Sequence, residues 1–167
     1  MAYHDLILAE SGLQHYYRCN ETSGSTLTDS KGSENLAITG TATLNDNFLI
    51  AGSPSGAFNT TGAASGIAKT SSHTQVAGAA DFSYEMWVKF TTTSINVFFM
   101  GEGNGTTNNA WCYLGISGIF AGIPRLNMQN NAGTASNTSS TLGAINDGNP
   151  HHVVITGVRS TNSLILY

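Results

Sequence analysis

Residues 147 to 156, DGNPHHVVIT, set two histidines side by side between an Asp-Gly turn and a β-branched run. Adjacent imidazoles raise two chemistries, a metal ligand set and an acid–base pair. On a strand, neighbouring residues point to opposite faces, so His151 and His152 cannot both reach one metal without a bulge. His151 then shares a face with Val153 and Ile155, and His152 with Val154 and Thr156. Each ring is expected to cap the end of a packed layer and to hydrogen-bond to a neighbouring loop. His4, His15 and His73 are isolated in the sequence, and no metal site is expected.

Other reactive constellations are sought in the same way. GEGNGTTNN, starting at Gly101, lacks the Lys-Ser/Thr ending and following helix of a phosphate loop, so it reads as a turn between strands. No Gly-x-Ser-x-Gly elbow supports a serine nucleophile, and no catalytic residue is expected. Aromatic residues offer recognition instead. Trp87 falls opposite the face expected to enter the core, and Trp111 and Tyr113 share one strand face. Together they suggest a platform against which a sugar ring stacks, and packing beneath loops is the alternative fate for the same residues.

These residues must be positioned by strands. DFSYEMWVKF, residues 81 to 90, alternates Phe82, Tyr84, Met86, Val88 and Phe90 with Ser83, Glu85, Trp87 and Lys89, the pattern of a core strand. LQHYYRCN reads as a strand with Tyr17 and Cys19 on one face. Short β segments are expected at LAITG, GAFN, GIAKT, INVFFMGEG, WCYLGIS, RLNMQ, HHVVITGV and SLILY, whereas ETSGSTLTDSKGS reads as a polar loop and NNAGTASNTSST as a flexible one. The opening AYHDLILAESG holds enough apolar residues for a turn or two of helix lying against the core.

The chain of 167 residues is the length of one domain, spanning residues 1–167. Charged residues make up only 10%, glycines number 19, and the polar surface must come from Ser, Thr and Asn, which favours an all-β fold. Six Lys and Arg scattered singly, within a net charge of −4, give no patch for phosphates, so no nucleic-acid partner is expected. No apolar run approaches the ~20 residues that span a bilayer, and the start lacks a signal-peptide pattern, so the chain reads as soluble and made in a cytoplasm. Cys19 and Cys112 are expected to stay unbridged.

Taken in order, AYHDLILAESGLQHYYRCNETSGSTLTDSKGS, DFSYEMWVKF, DGNPHHVVIT and SLILY resemble the laminin-G-like jelly roll of the concanavalin A-like lectin/glucanase superfamily. Tyr17 stands where that family carries Trp, Cys19 where it carries Leu, and Pro150 where it carries Trp. The resemblance implies a two-sheet antiparallel jelly-roll sandwich with a short N-terminal helix, and the family's last strands have no counterpart after Tyr167. The missing strands suggest a fragment, or an edge covered by another chain. Hydrolases of the superfamily place their acids on a Glu-x-Asp-x-Glu strand, and no such triplet occurs here, with Glu85 and Glu102 each alone. Many relatives hold calcium at the sandwich rim, but Asp29, Asp46, Asn47 and Asp147 form no dense ligand run, and no cofactor is expected. The opening segment resembles versions in phage tail, fibre and head-associated proteins and in bacterial surface proteins. The expectation is therefore a non-enzymatic binding or assembly module of a virion, contacting other virion proteins or itself, as a homotrimer, and surface glycans. The alternative is a carbohydrate-binding module of a bacterial surface protein or glycosidase.

Overall fold

A computed structural model describes residues 3–46, 57–60, 66–68, 80–91, 97–103, 111–116, 122–129, 135–139, 143–158, 161 and 163–167. Among the described residues the fold is all-β, with antiparallel sheets and one short helix. The chain divides into two compact units, Met1–Thr74 and Gln75–Tyr167.

The first unit opens with helix α1 (Tyr3–Leu8), whose Asp5 lies in the first turn and suits the helix dipole. Its last turn tightens as the Ala9 amide reaches both the Asp5 and Leu6 carbonyls at 3.1 and 3.2 Å. Lys31 Nζ then donates to the Leu8 carbonyl at 3.0 Å, serving an acceptor that the helix end leaves unpaired. None of the α1 residues is buried, so the expected packing against a core is replaced by this lysine clamp. Strands β1 (Thr26–Leu27), β2 (Leu36–Thr39) and, later in the chain, β5 (Gly66–Ala68) form one antiparallel sheet in the order β1-β2-β5, and β3 (Ala42–Asp46) pairs with β4 (Ala57–Thr60). Leu27, only 1% exposed, is the buried apolar residue of this unit among those described.

LQHYYRCN does not form the expected strand. Tyr17 makes a single antiparallel bridge to Asp29, and Cys19, with φ at 54°, turns the backbone out of the extended region. The reason lies in Asp29, whose side chain is fully buried and competes for the amides a ladder would use. Oδ1 accepts from the amides of Tyr16, Lys31 and Gly32 at 3.0, 3.1 and 3.0 Å, and Oδ2 from His15 Nδ1 at 2.8 Å and the Glu34 amide at 3.2 Å. A Cβ at Gly32 would lie 2.6 Å from Asp29 Oδ2, so only glycine lets the loop wrap this closely.

The second unit holds β6 (Phe82–Val88), β7 (Val97–Gly103), β8 (Trp111–Ile116), β9 (Pro124–Gln129), β10 (Ala135–Ser139), β11 (His151–Val158) and β12 (Ser163–Leu166). A four-stranded sheet runs β10-β9-β8-β7, and a three-stranded sheet runs β12-β11-β6, all pairs antiparallel. NNAGTASNTSST, expected to be flexible, supplies β10, whose residues 135–139 pair with 125–129 of β9. Polar Ser, Asn and Thr carry no apolar alternation, yet cross-strand pairing of the backbone is indifferent to it.

Burial along β6 alternates as the sequence requires, with Phe82, Tyr84, Met86 and Val88 half-buried and Ser83, Glu85 and Trp87 exposed. Val153 and Ile155 of β11 and Leu126 of β9 are buried together, so the two sheets meet through one cluster. The β6 residues of the inner face, with Ile145 and Leu166, pack against it. Gly157 pairs with Phe82 across the strands, and a Cβ there would fall on the Phe82 ring.

Candidate functional site

The inward set of β6 leaves the odd-numbered residues facing away from the core. Pairing carries that face across the sheet: His152 stands opposite Trp87, Val154 opposite Glu85, and Thr156 opposite Ser83. On the far side Thr156 meets Ile165, and Val154 exchanges backbone bonds of 3.2 and 2.8 Å with Tyr167. Trp87, Ile165 and Tyr167 are 44%, 43% and 56% exposed, a concentration of apolar surface on one sheet face.

Polar and aromatic groups interlock at its centre. The rings of Trp87 and His152 stack with centroids 4.9 Å apart and planes 23° from parallel. His152 Nε2 lies 2.8 Å from Glu85 Oε1, so one imidazole is held by an indole on one side and a carboxylate on another. The side chains of both ionisable partners remain in contact with water, at 38% and 48% exposure, which limits what the ion pair contributes to stability. His152 therefore does more than cap a layer. The histidine division expected from the strand period holds, and the partner of each ring comes from a different place.

His151 turns to the preceding loop. Its Nε2 donates to Asp147 Oδ1 at 2.8 Å, and Asn149 adds its amide to the same oxygen and its Nδ2 to the other, both at 2.9 Å. His151, then Asn149, hold the Asp147 carboxyl well below the usual carboxylate range. The Gly148 amide donates to the Phe90 carbonyl at 3.1 Å, tying the turn to the end of β6.

The other loop acid weighed from the sequence, Asp29, is likewise spent on the backbone. Burial alone would raise its carboxyl, but the bonds from His15 and from the Gly32, Tyr16 and Lys31 amides outweigh it, and the group is held well below the usual range. Tyr17 donates to the Glu34 carbonyl at 2.6 Å, and burial followed by the charges of Asp29 and Glu34 pushes its hydroxyl up to about 12. Asp46 ends β3, and Asn47 lies outside the described residues. Among the described residues no group of three His, Cys, Asp or Glu is placed to hold a metal ion.

The three aromatics expected to make one platform stand in two sheets. Trp87 lies on β6, while Trp111 and Tyr113 lie on β8, in register with Gln129 and Asn127 of β9. Leu126 of β9 is buried and pairs with Leu114 of β8. On its other side β8 pairs Tyr113 with Gly101 and Trp111 with Gly103. Glu85 and His152, which the pattern of residues did not join to Trp87, are separated from each other by 67 positions, and only the β6–β11 register brings them together.

No family model matches this chain, and neither the curated proteins nor the solved structures contain a match to it.

Proposed function

We propose that this chain is a non-enzymatic binding and assembly module, built on a laminin-G-like jelly roll and carried on a phage particle as a decoration, fibre or tail-associated component. The observation that carries the binding role is the outer face of β6 and β11, where a tryptophan stays 44% exposed on a sheet whose other face holds the core. A large aromatic fixed on paired strands is a recognition surface with little ordering cost. Two antiparallel sheets meeting through Leu126, Val153 and Ile155 support the jelly-roll reading.

The carboxylates favour binding over hydrolysis. Among the described strand residues of the outer face, Glu85 is the one acid, and it is paired with His152. Asp81 precedes it by four residues, ~13 Å along a strand, whereas glycosidase acids stand ~5–9.5 Å apart. The virion setting rests on the likeness of residues 2–33 to the opening of phage tail, fibre and head-associated proteins. Mass spectrometry of purified particles tests it: the chain is expected as a multi-copy component, and its recovery only in the host cell-wall fraction would overturn the setting. Light scattering of the purified chain is expected to give a trimer, and a monomer at micromolar concentration would remove the assembly role.

A further inference from the structure

At the centre of the β6–β11 outer face an imidazole lies between an indole and a carboxylate. His152 stacks on Trp87 with centroids 4.9 Å apart, while its Nε2 stands 2.8 Å from Glu85 Oε1. An ionised carboxylate only accepts, so Nε2 is the donor. The chain thus supplies an internal template: this corner of the sheet takes a flat nitrogen-bearing group that lies on the indole and points an N–H toward the acid. We infer that the face docks an arginine side chain presented by a segment of another protein, with its guanidinium on the open surface of Trp87 and its N–H groups toward Glu85. The inference rests on reading the chain as a binding module and names the chemistry of the partner at that face.

Three observations carry it. First, the indole is held without being covered. Its contact with His152 leaves Trp87 44% exposed, and a cation over such a ring is attracted by the negative face of the π-system. Second, a carboxylate stands beside it. Glu85 and Trp87 are i and i+2 on β6, with Cα atoms ~7 Å apart, so one long side chain can lie on the ring and reach the acid. The Glu85 side chain is 48% exposed, and a carboxylate offers two oxygens on which a guanidinium can fork. Third, charge favours a cation. From Asp81 to Lys89 two carboxylates, Asp81 and Glu85, stand against one ammonium, a formal charge of −1 along the line of β6.

Arginine fits this corner better than lysine. A guanidinium is planar, holds five N–H donors in a fixed fork and is more weakly hydrated than an ammonium, so it can stack and pair at once. A second copy of this chain is a poor donor. Its arginines are Arg18, Arg125 and Arg159; the first two are half-buried, and the third lies outside the described residues.

The test is titration of the chain, followed by nitrogen-15 NMR, with blocked glycine peptides that differ only in a central arginine, lysine or citrulline. The chain has two tryptophans, so Trp111→Phe assigns the indole N–H signal of Trp87. A saturable shift of that signal is expected with the arginine peptide, at the millimolar affinity that one side chain supports. Binding should be weaker with lysine and at least fivefold weaker with citrulline, which keeps the plane and loses the charge. Glu85→Gln should weaken the arginine peptide at least threefold, and Trp87→Ala should remove the shifts of the β6 and β11 amides. Circular dichroism melts of each variant separate lost binding from lost folding, and the citrulline comparison needs no variant at all. No saturable shift with arginine, equal affinity for lysine or citrulline, or full binding by folded Trp87→Ala or Glu85→Gln protein would overturn the inference. Light scattering of Trp87→Ala should match the wild type; a smaller assembly would make a second copy the occupant and overturn it too. Should the peptides fail while the chain is recovered assembled from particles, the arginine site falls and the assembly module stands.

Discussion

At the scale of single residues, two acids that the sequence shows as loop positions turn out to organise their surroundings. Asp29 is buried beneath five donors. Replacing it with Asn keeps the shape, removes the charge and sets an NH₂ against amide donors, so Asp29→Asn is expected to cost about 3 kcal/mol in urea unfolding. The pH dependence follows from the direction of its shift. The carboxyl is depressed in the folded chain, so its stabilisation is complete above the unfolded value of about 3.9 and is lost as pH falls toward the folded one. The gap between the wild type and Asp29→Asn should therefore narrow below about pH 4; a gap independent of pH would refute the assignment. Cys19 makes a second prediction. Burial first, and then Glu21, push its thiol up to about 12, so in a Cys112→Ser background it should resist maleimide at pH 8 until the chain is unfolded.

At the scale of elements, β6 was legible because its apolar residues, Trp87 apart, fall on alternate positions, and β11 because β-branched residues follow a turn. Met86→Asp places a carboxylate against the cluster of Val153, Ile155 and Leu126, and a loss of about 3 kcal/mol or more is expected, read as loss of soluble, cooperatively melting protein. Gly157→Ala should cost about 1–3 kcal/mol in thermal melts, because its new methyl meets the Phe82 ring. Where local pattern and backbone demand diverged, the sequence misled. LQHYYRCN has strand composition, but Asp29, 13 positions beyond Tyr16, takes the Tyr16 amide. ASNTS of β10 has turn composition, but its pairing to β9 is a property of the neighbouring strand. The candidate site was half legible for the same reason: Trp87 as an outward residue follows from period two, whereas its union with His152 and Glu85 depends on register, which no local pattern encodes.

At the scale of the whole molecule, the two compact units carry separate buried residues, Leu27 in the first and Leu126, Val153 and Ile155 in the second. Leu27→Ala and Ile155→Ala should each cost about 2–5 kcal/mol, and hydrogen exchange should accelerate first in the unit that holds the substitution. Uniform acceleration across both would show that they open as one. The turn at Asp147 has a consequence for how the protein ages. In an Asp-Gly pair the glycine amide nitrogen can attack the protonated side-chain carboxyl and expel water, giving a succinimide whose hydrolysis yields isoaspartate, because glycine offers little hindrance. Here the carboxylate is kept ionised by His151 and Asn149, a poor electrophile, and the Gly148 amide is committed to the Phe90 carbonyl. Peptide mapping after long warm storage should find position 147 intact in the folded chain and converted in His151→Gln, so the lifetime of this one turn is set by two neighbouring side chains.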